Sequence, residues 1–178
     1  MFYALTKNRR SIRVYADRAV ETEKIQMIVE AALRSPSGRA ARPWSFVVVT
    51  DRTLLEQLSL ARPQGASFIK KAPLAVVVCG EPAASPIWLE DCAVAAVTIQ
   101  YSAQDLGLVS CWSTMKDKWY NEVKTSTQYI AELLWLPQNL TVLCLIAIGY
   151  PDENIAPYKN EELLFERVSY NCYGRHLI

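Results

Sequence analysis

The sequence predicts a sandwich of the α/β or α+β class, with one central sheet covered by helices. Two observations predict it. Short apolar runs rich in β-branched residues, FVVVT at 46–50, LAVVVC at 74–79 and LTVLCLIAIG at 140–149, have the composition of buried strands. Between them lie longer stretches whose apolar residues recur at helical spacing, so strands and helices alternate along the chain. At 178 residues the chain reads as a single domain, 1–178, or as one protomer of a compact oligomer.

Taken in order, the chain opens with MFYALTKNRR, which lacks the apolar core of a secretory signal. Residues 22–34 put Ile25, Ile28, Val29, Ala32 and Leu33 on one helical face, with Thr22 as the expected cap and Pro36 as the stop. The loop SPSGRAARPW, 35–44, follows: rigid, open, small-residued, with one large aromatic where the next strand begins. FVVVT then reads as a strand buried on both faces. Asp51 caps a helix carrying Leu54, Leu55 and Leu58, and 74–79 forms a second buried strand. From Trp88 to Leu106 the pattern is helical and apolar nearly all round, which suits a helix crossing the core or lining a dimer interface. Gly107 supplies its stop. A short strand near 109–112 is expected next, then helices around 117–124 and 127–135. Pro137 and Asn139 turn the chain into the strand 140–149, which Pro151 ends. Residues 152–178 look irregular yet carry Tyr158, Phe165, Tyr170, Tyr173 and His176, so this tail should lie on a protein surface, its own or a neighbour's.

Composition excludes several function classes. Hydrophobic content of 51% and charged content of 21% hint at surface buried against a partner. A formal net charge of +1 offers no global attraction for nucleic acid. The five cysteines (Cys79, Cys92, Cys111, Cys144, Cys172) are spread out without a C-x-x-C pair, and with one histidine a zinc site is not expected. They read as reduced, mostly buried thiols of a cytoplasmic protein. The longest uncharged stretch, 133–151, contains Pro137, Gln138 and Asn139 and is no membrane span.

The densest cationic group is RRSIR: Arg9, Arg10, Ser11 and Arg13. Forked guanidiniums beside a hydroxyl suit a phosphate. Charge runs are usually solvated, however, and on composition alone a solvated N-terminal arm describes this one better. Ser67-x-x-Lys70 lacks the companion motifs of penicillin-recognising enzymes, and Cys92 lies in an apolar helix with only His176 as an imaginable imidazole partner. Neither a G-x-G-x-x-G nor a Walker loop occurs. No catalytic side-chain pair emerges. Beside a phosphate-like arginine cluster, that places the chemistry on a bound cofactor.

Four stretches in order resemble the nitroreductase-like family of FMN flavoproteins. RRSIRVY is similar to its R-R-S-x-R-x-[FY] opening, and SPSGRAARPWSFVVV to its P-S-x-x-N-x-[QR]-P-W loop. EDCAVAAVTIQYSAQDLGLVSCW resembles its alanine-rich core helix ending in G-L-x-x-x-W, and LPQNLTVLCLIAIGYP its terminal strand ending in G-Y-P. The resemblance implies an α+β three-layer sandwich with a mostly antiparallel sheet, and a homodimer whose tails, 152–178, pack on the partner subunit. It implies that Arg9, Arg10, Ser11 and Arg13 hold the FMN phosphate and the ribityl or pyrimidine end. Pro36, Ser37 and Gly38 would approach the flavin ring from the other subunit, and the backbone of Trp112, Ser113 and Thr114 would lie along its edge. Two departures stand out. The family's loop asparagine falls at Ala40, and of its C-terminal basic pair only Lys159 remains, with Glu161 where the arginine would be; Arg167 or Arg175 are the alternative cations. The activity implied is FMN-dependent oxidation of NADH or NADPH, with reduction of a small-molecule acceptor such as a nitroaromatic, quinone or enone. The alternative is a flavin-binding storage or sensing protein that does not turn over.

Overall fold

A computed structural model describes residues 2–176. Four strands, β1 (Trp44–Val49), β2 (Leu74–Gly80), β3 (Val109–Thr114) and β4 (Thr141–Gly149), form one sheet in the order β1-β2-β4-β3. Every neighbouring pair is antiparallel. Among the described residues five α-helices accompany it: α1 (Phe2–Asn8), α2 (Thr22–Leu33), α3 (Arg52–Ser59), α4 (Trp88–Asp105) and α5 (Ser126–Leu134). The class is therefore α+β.

Strand alternation sorts the core into two layers. Leu74, Val76, Val78, Cys144, Ile146 and Ile148 point to one face and pack on α2 and α4, through Ile28, Ala32, Cys92, Ala95, Ala96 and Ile99. Ala75, Val77, Cys79, Leu145, Ala147 and Cys111 point to the other and meet Leu55 and Leu58 of α3 and Ile130 of α5. Helices on both faces of one sheet make the three layers. β2 and β4 are buried on both faces, which is why their apolar runs lack alternation. β1 departs from expectation: it is a sheet edge, and Ser45 and Val48 are exposed, because it pairs with β2 alone.

Local chemistry explains most boundaries. Asp51 Oδ1 accepts from Leu54 N at 2.9 Å, the expected cap of α3. Gly107, with φ of +75°, closes α4 as expected. α5 starts on a capping box in which Thr125 and Gln128 satisfy each other's backbone. Thr22, by contrast, is the first helical residue; Glu21 occupies the cap position and makes no side-chain capping bond. The helix expected at 117–124 does not form. Asn121 Oδ1 accepts from Val123 N at 3.0 Å and Lys124 N at 2.7 Å, a side-chain turn that competes with the helical ladder, and Asp117 has φ of +56°. The N-terminus is no solvated arm: residues 2–8 are helical and dock on α4, where Gln104 Nε2 donates to Leu5 O at 3.0 Å and the Phe2 and Tyr101 rings lie 4.9 Å apart.

Four cysteines are buried and Cys172 is exposed. Burial pushes the Cys79 and Cys92 thiols up to about 12 and raises Cys144 as well. None of the described helices is long and apolar enough to cross a membrane.

Candidate functional site

The arginine segment lies along the outer edge of β3. Ser11 bridges Ser110 in parallel register, and Ile12 N donates to Ser110 O at 3.2 Å. Glu153 fastens the segment from the other side, its Oε1 accepting from Arg13 N at 2.5 Å and Val14 N at 3.1 Å. Because the segment is extended, alternate residues face opposite ways.

This alternation separates the four expected residues. Burial raises the Cys111 thiol while the charges of Arg13 and Arg9 pull it back, and Arg13 turns toward the α3/α5 layer. Its guanidinium lies 5.9 Å from the Phe68 ring centre. Arg10 turns the other way. It donates through Nη1 to Ala156 O and stacks 4.2 Å from the Tyr158 ring, so its contacts are with the tail. Arg9 and Arg10 both border a cleft of about 570 Å³ whose other walls include Gln100, Gln104 and residues 151–155. Lys159 follows Tyr158, exposed, with its backbone N–H bonded to Glu162 Oε2 at 2.7 Å.

β3 offers backbone as well as side chains. Since Ser110 O points outward to Ile12, period two turns the N–H and C=O of Trp112 and Thr114 outward too. Arg62 Nη1 occupies Thr114 O at 2.9 Å. Ser113 is buried, and its hydroxyl donates to Gly65 O at 2.6 Å. The Trp112 amide is thus presented on the open edge between the arginine segment and the 60–66 loop.

The loop before β1 sits elsewhere. It leads into the N-terminal end of β1, at the far edge of the sheet, with β2 and β4 between it and β3; three strand spacings make that roughly 14 Å. Its shape is unusual: Arg39, Ala40 and Arg42 all have positive φ, at 51°, 55° and 47°. Non-glycine residues are uncommon there and signal a conformation imposed by surroundings. Ser37 Oγ accepts from Arg42 N at 3.0 Å, and Asp91 Oδ1 in the first turn of α4 accepts from Gly38 N at 2.8 Å. A Cβ at Gly38 would displace the exposed Ile87 side chain, whose Cδ1 would lie 2.3 Å from it. Trp44 is buried and seats the loop's end in the α2/α4 core. Ala40 is exposed.

One chain therefore brings together Arg9, Ser11 and Arg13 with Trp112–Thr114, and keeps Pro36, Ser37, Gly38 and Ala40 apart from them. Three contributors were not singled out in the sequence. Asp91 and Glu153 bind backbone across long sequence separations, and Arg62 reaches a carbonyl of β3; only the Asp in the quoted EDCAVAAV stretch lay inside a motif.

With this geometry in view, the Nitroreductase family profile matches residues 6–62 and 61–150. The chain belongs to the nitroreductase family. A relative from Methanothermobacter thermautotrophicus, named "Putative NADH dehydrogenase/NAD(P)H nitroreductase", is 36% identical over 151 residues, covering 83% of this chain and 76% of its own. One of the same name from Archaeoglobus fulgidus is 34% identical over 158 residues, covering 86% and 87%. The solved structure of an FMN-dependent nitroreductase from Clostridium difficile R20291 superposes with a TM-score of 0.94 at 40% identity, covering 96% of this chain and 99% of that one. This nitroreductase-family chain thus shares its α+β sandwich with a relative that is named for flavin chemistry.

Proposed function

We propose that the protein is a homodimeric FMN-dependent NAD(P)H oxidoreductase acting on nitroaromatic, quinone or enone acceptors. The observation that carries this reading is the segment of Arg9, Ser11 and Arg13 laid along the open edge of β3. The segment supplies guanidiniums and a hydroxyl of the kind that neutralise a terminal phosphate, and a few residues along the same edge the Trp112 amide faces outward, suited to a planar polar group. That donor set fits FMN. Arg9, Ser11 and Arg13 would hold its phosphate, and the Trp112 N–H would orient the edge of its ring. Lys159 is the tail's candidate for added phosphate contact. When bound, FMN would supply the hydride-transfer chemistry between NADH or NADPH and the acceptor.

The second copy follows from distance. Pro36, Ser37, Gly38 and Ala40 cannot reach the β3 edge of their own chain across β2 and β4, so a flavin touching both needs two chains. Two apolar surfaces support that assembly. Val94 and Val97 of α4 are exposed beside Phe2 and Tyr3 of α1, and the tail leaves Tyr158, Phe165, Val168, Tyr170 and Tyr173 exposed within one chain. Residues 152–178 would wrap the neighbour, with Arg10 gripping the tail's root. In each site the neighbour's loop would cover the ring and exclude water.

The test is the purified protein itself. It should be a yellow dimer that releases FMN on heating and oxidises NADH or NADPH with a quinone acceptor. FAD, or no flavin after reconstitution, would overturn the cofactor; a yellow protein without turnover would identify a storage or sensing role.

A further inference from the structure

Beyond the C-terminal end of β3, on the face shared by Ser113 and Cys111, the 60–66 loop and the 115–125 segment enclose a cleft of about 250 Å³ lined by Arg62, Pro63, Gln64, Lys118 and Trp119. It is a built cleft. Arg62 Nη1 donates to Thr114 O at 2.9 Å and Ser113 Oγ to Gly65 O at 2.6 Å, so two bonds tie one wall to the strand. Trp119 belongs to the other wall, fixed by its backbone bridge to Thr125. The Arg62 guanidinium lies over Gly65, whose φ is +87°; a Cβ there would come within 3.3 Å of Cζ.

The charges around it are unbalanced. Lys116 is paired with Asp117 at 2.6 Å and Lys124 with Glu132 at 2.7 Å. Among the described residues, Arg62 and Lys118 have no carboxylate partner. Trp119 is 57% exposed, although its backbone is held. Two unpaired cations and a presented indole around one cleft match a planar aromatic ring that carries a negative charge: the ring lies on the indole and the acid group meets the cations. Arg62 links the cleft to Thr114 at the end of β3, so a ligand anchored on it would lie next to that strand's edge.

We propose that this cleft is the anion-recognising arm of the acceptor site and that the protein favours aromatic acceptors bearing a carboxylate or similar acid group. This rests on the oxidoreductase reading above. The test compares para-nitrobenzoate with neutral para-nitroacetophenone in the FMN-reconstituted protein. Lys118→Gln should lower the ratio of their kcat/KM values about fivefold, the scale of one partly exposed charge pair. Lys118→Arg should restore the ratio, and Trp119→Leu should lower it. A merely structural defect would slow both acceptors together and leave the ratio intact, which would overturn the proposal. An effect confined to the KM for NADPH would overturn it too, assigning the cations to the donor's phosphate. If wild type turns over neither acceptor nor a quinone, the oxidoreductase reading fails. Where neither nitro acceptor is turned over, calorimetric titration with para-nitrobenzoate decides the cleft alone: binding lost in Lys118→Gln and kept in Lys118→Arg supports it, and no binding to wild type overturns it.

Discussion

Replacing Asp91 with alanine tests how the 36–42 loop is held. Asp91 is 4% exposed and, among the described residues, has no cation partner; it accepts from Gly38 N at 2.8 Å and, more weakly, from Ser85 Oγ at 3.3 Å. Its charge is sheltered by the N-terminal turn of α4. A hydrogen bond to a charged acceptor is worth about 1.5–3 kcal/mol. Gly38 is half-buried, so water replaces part of what Asp91→Ala removes, and the expected loss is about 1.5–2 kcal/mol. For a chain of this length that lowers Tm by roughly 3–8 °C. Limited trypsin digestion reads the same latch locally, since Arg39 is exposed in the loop and is followed by Ala40, whereas Pro43 protects the bond after Arg42. Cleavage after Arg39 should accelerate in Asp91→Ala and change less in Asp91→Asn, which retains an acceptor oxygen. Unchanged Tm and unchanged cleavage in Asp91→Ala would refute the latch. Faster cleavage with FMN affinity unmoved would detach the loop from the neighbour's flavin.

Other substitutions separate the remaining roles. Arg9→Ala or Arg13→Ala should weaken FMN by about 1.5–3 kcal/mol in a fluorescence titration, the scale of a charge-assisted contact; unchanged affinity would dissociate that segment from the phosphate. Arg10→Ala should instead loosen the dimer, seen as concentration-dependent dissociation on size exclusion, because its contacts are Ala156 O and Tyr158. At Ala40, asparagine tolerates the observed φ of 55° better than alanine does. Ala40→Asn should therefore stabilise the loop by up to about 1 kcal/mol and tighten FMN by about 0.5–1.5 kcal/mol if the new amide reaches its edge; equal or weaker FMN binding would remove Ala40 from the site. The buried thiols of Cys79 and Cys92 keep their protons to about 12, whereas the unfolded chain loses them near 9. Stability should fall as pH rises through that window, and below it iodoacetamide should label Cys172 alone in the native protein.

Much of the architecture could be read from residues because it depends on local chemistry. The FVVVT, LAVVVC and LTVLCLIAIG runs mark strands, Asp51 and Gly107 mark helix ends, and each signal is written within a few residues of its effect. The RRSIR and SPSG stretches also stood out locally, by charge and by backbone permissiveness. The failures have a common cause. The 117–124 segment has helical spacing, but Asn121 wins its backbone donors; α1 has no buried residue of its own and is held by α4. β1 became an edge because strand order is a property of the sheet.

What the sequence by itself determined was the set of chemical groups, the strand and helix periods and the family pattern. Only the tertiary structure decided that Arg10 turns to the tail while Arg13 lies by Phe68, that Asp91 grips Gly38, and that Arg62 meets Thr114. Each of these pairs lies far apart in the chain or depends on which face of an extended segment is turned inward. Direction is settled when neighbouring strands pair, and no list of residues carries it.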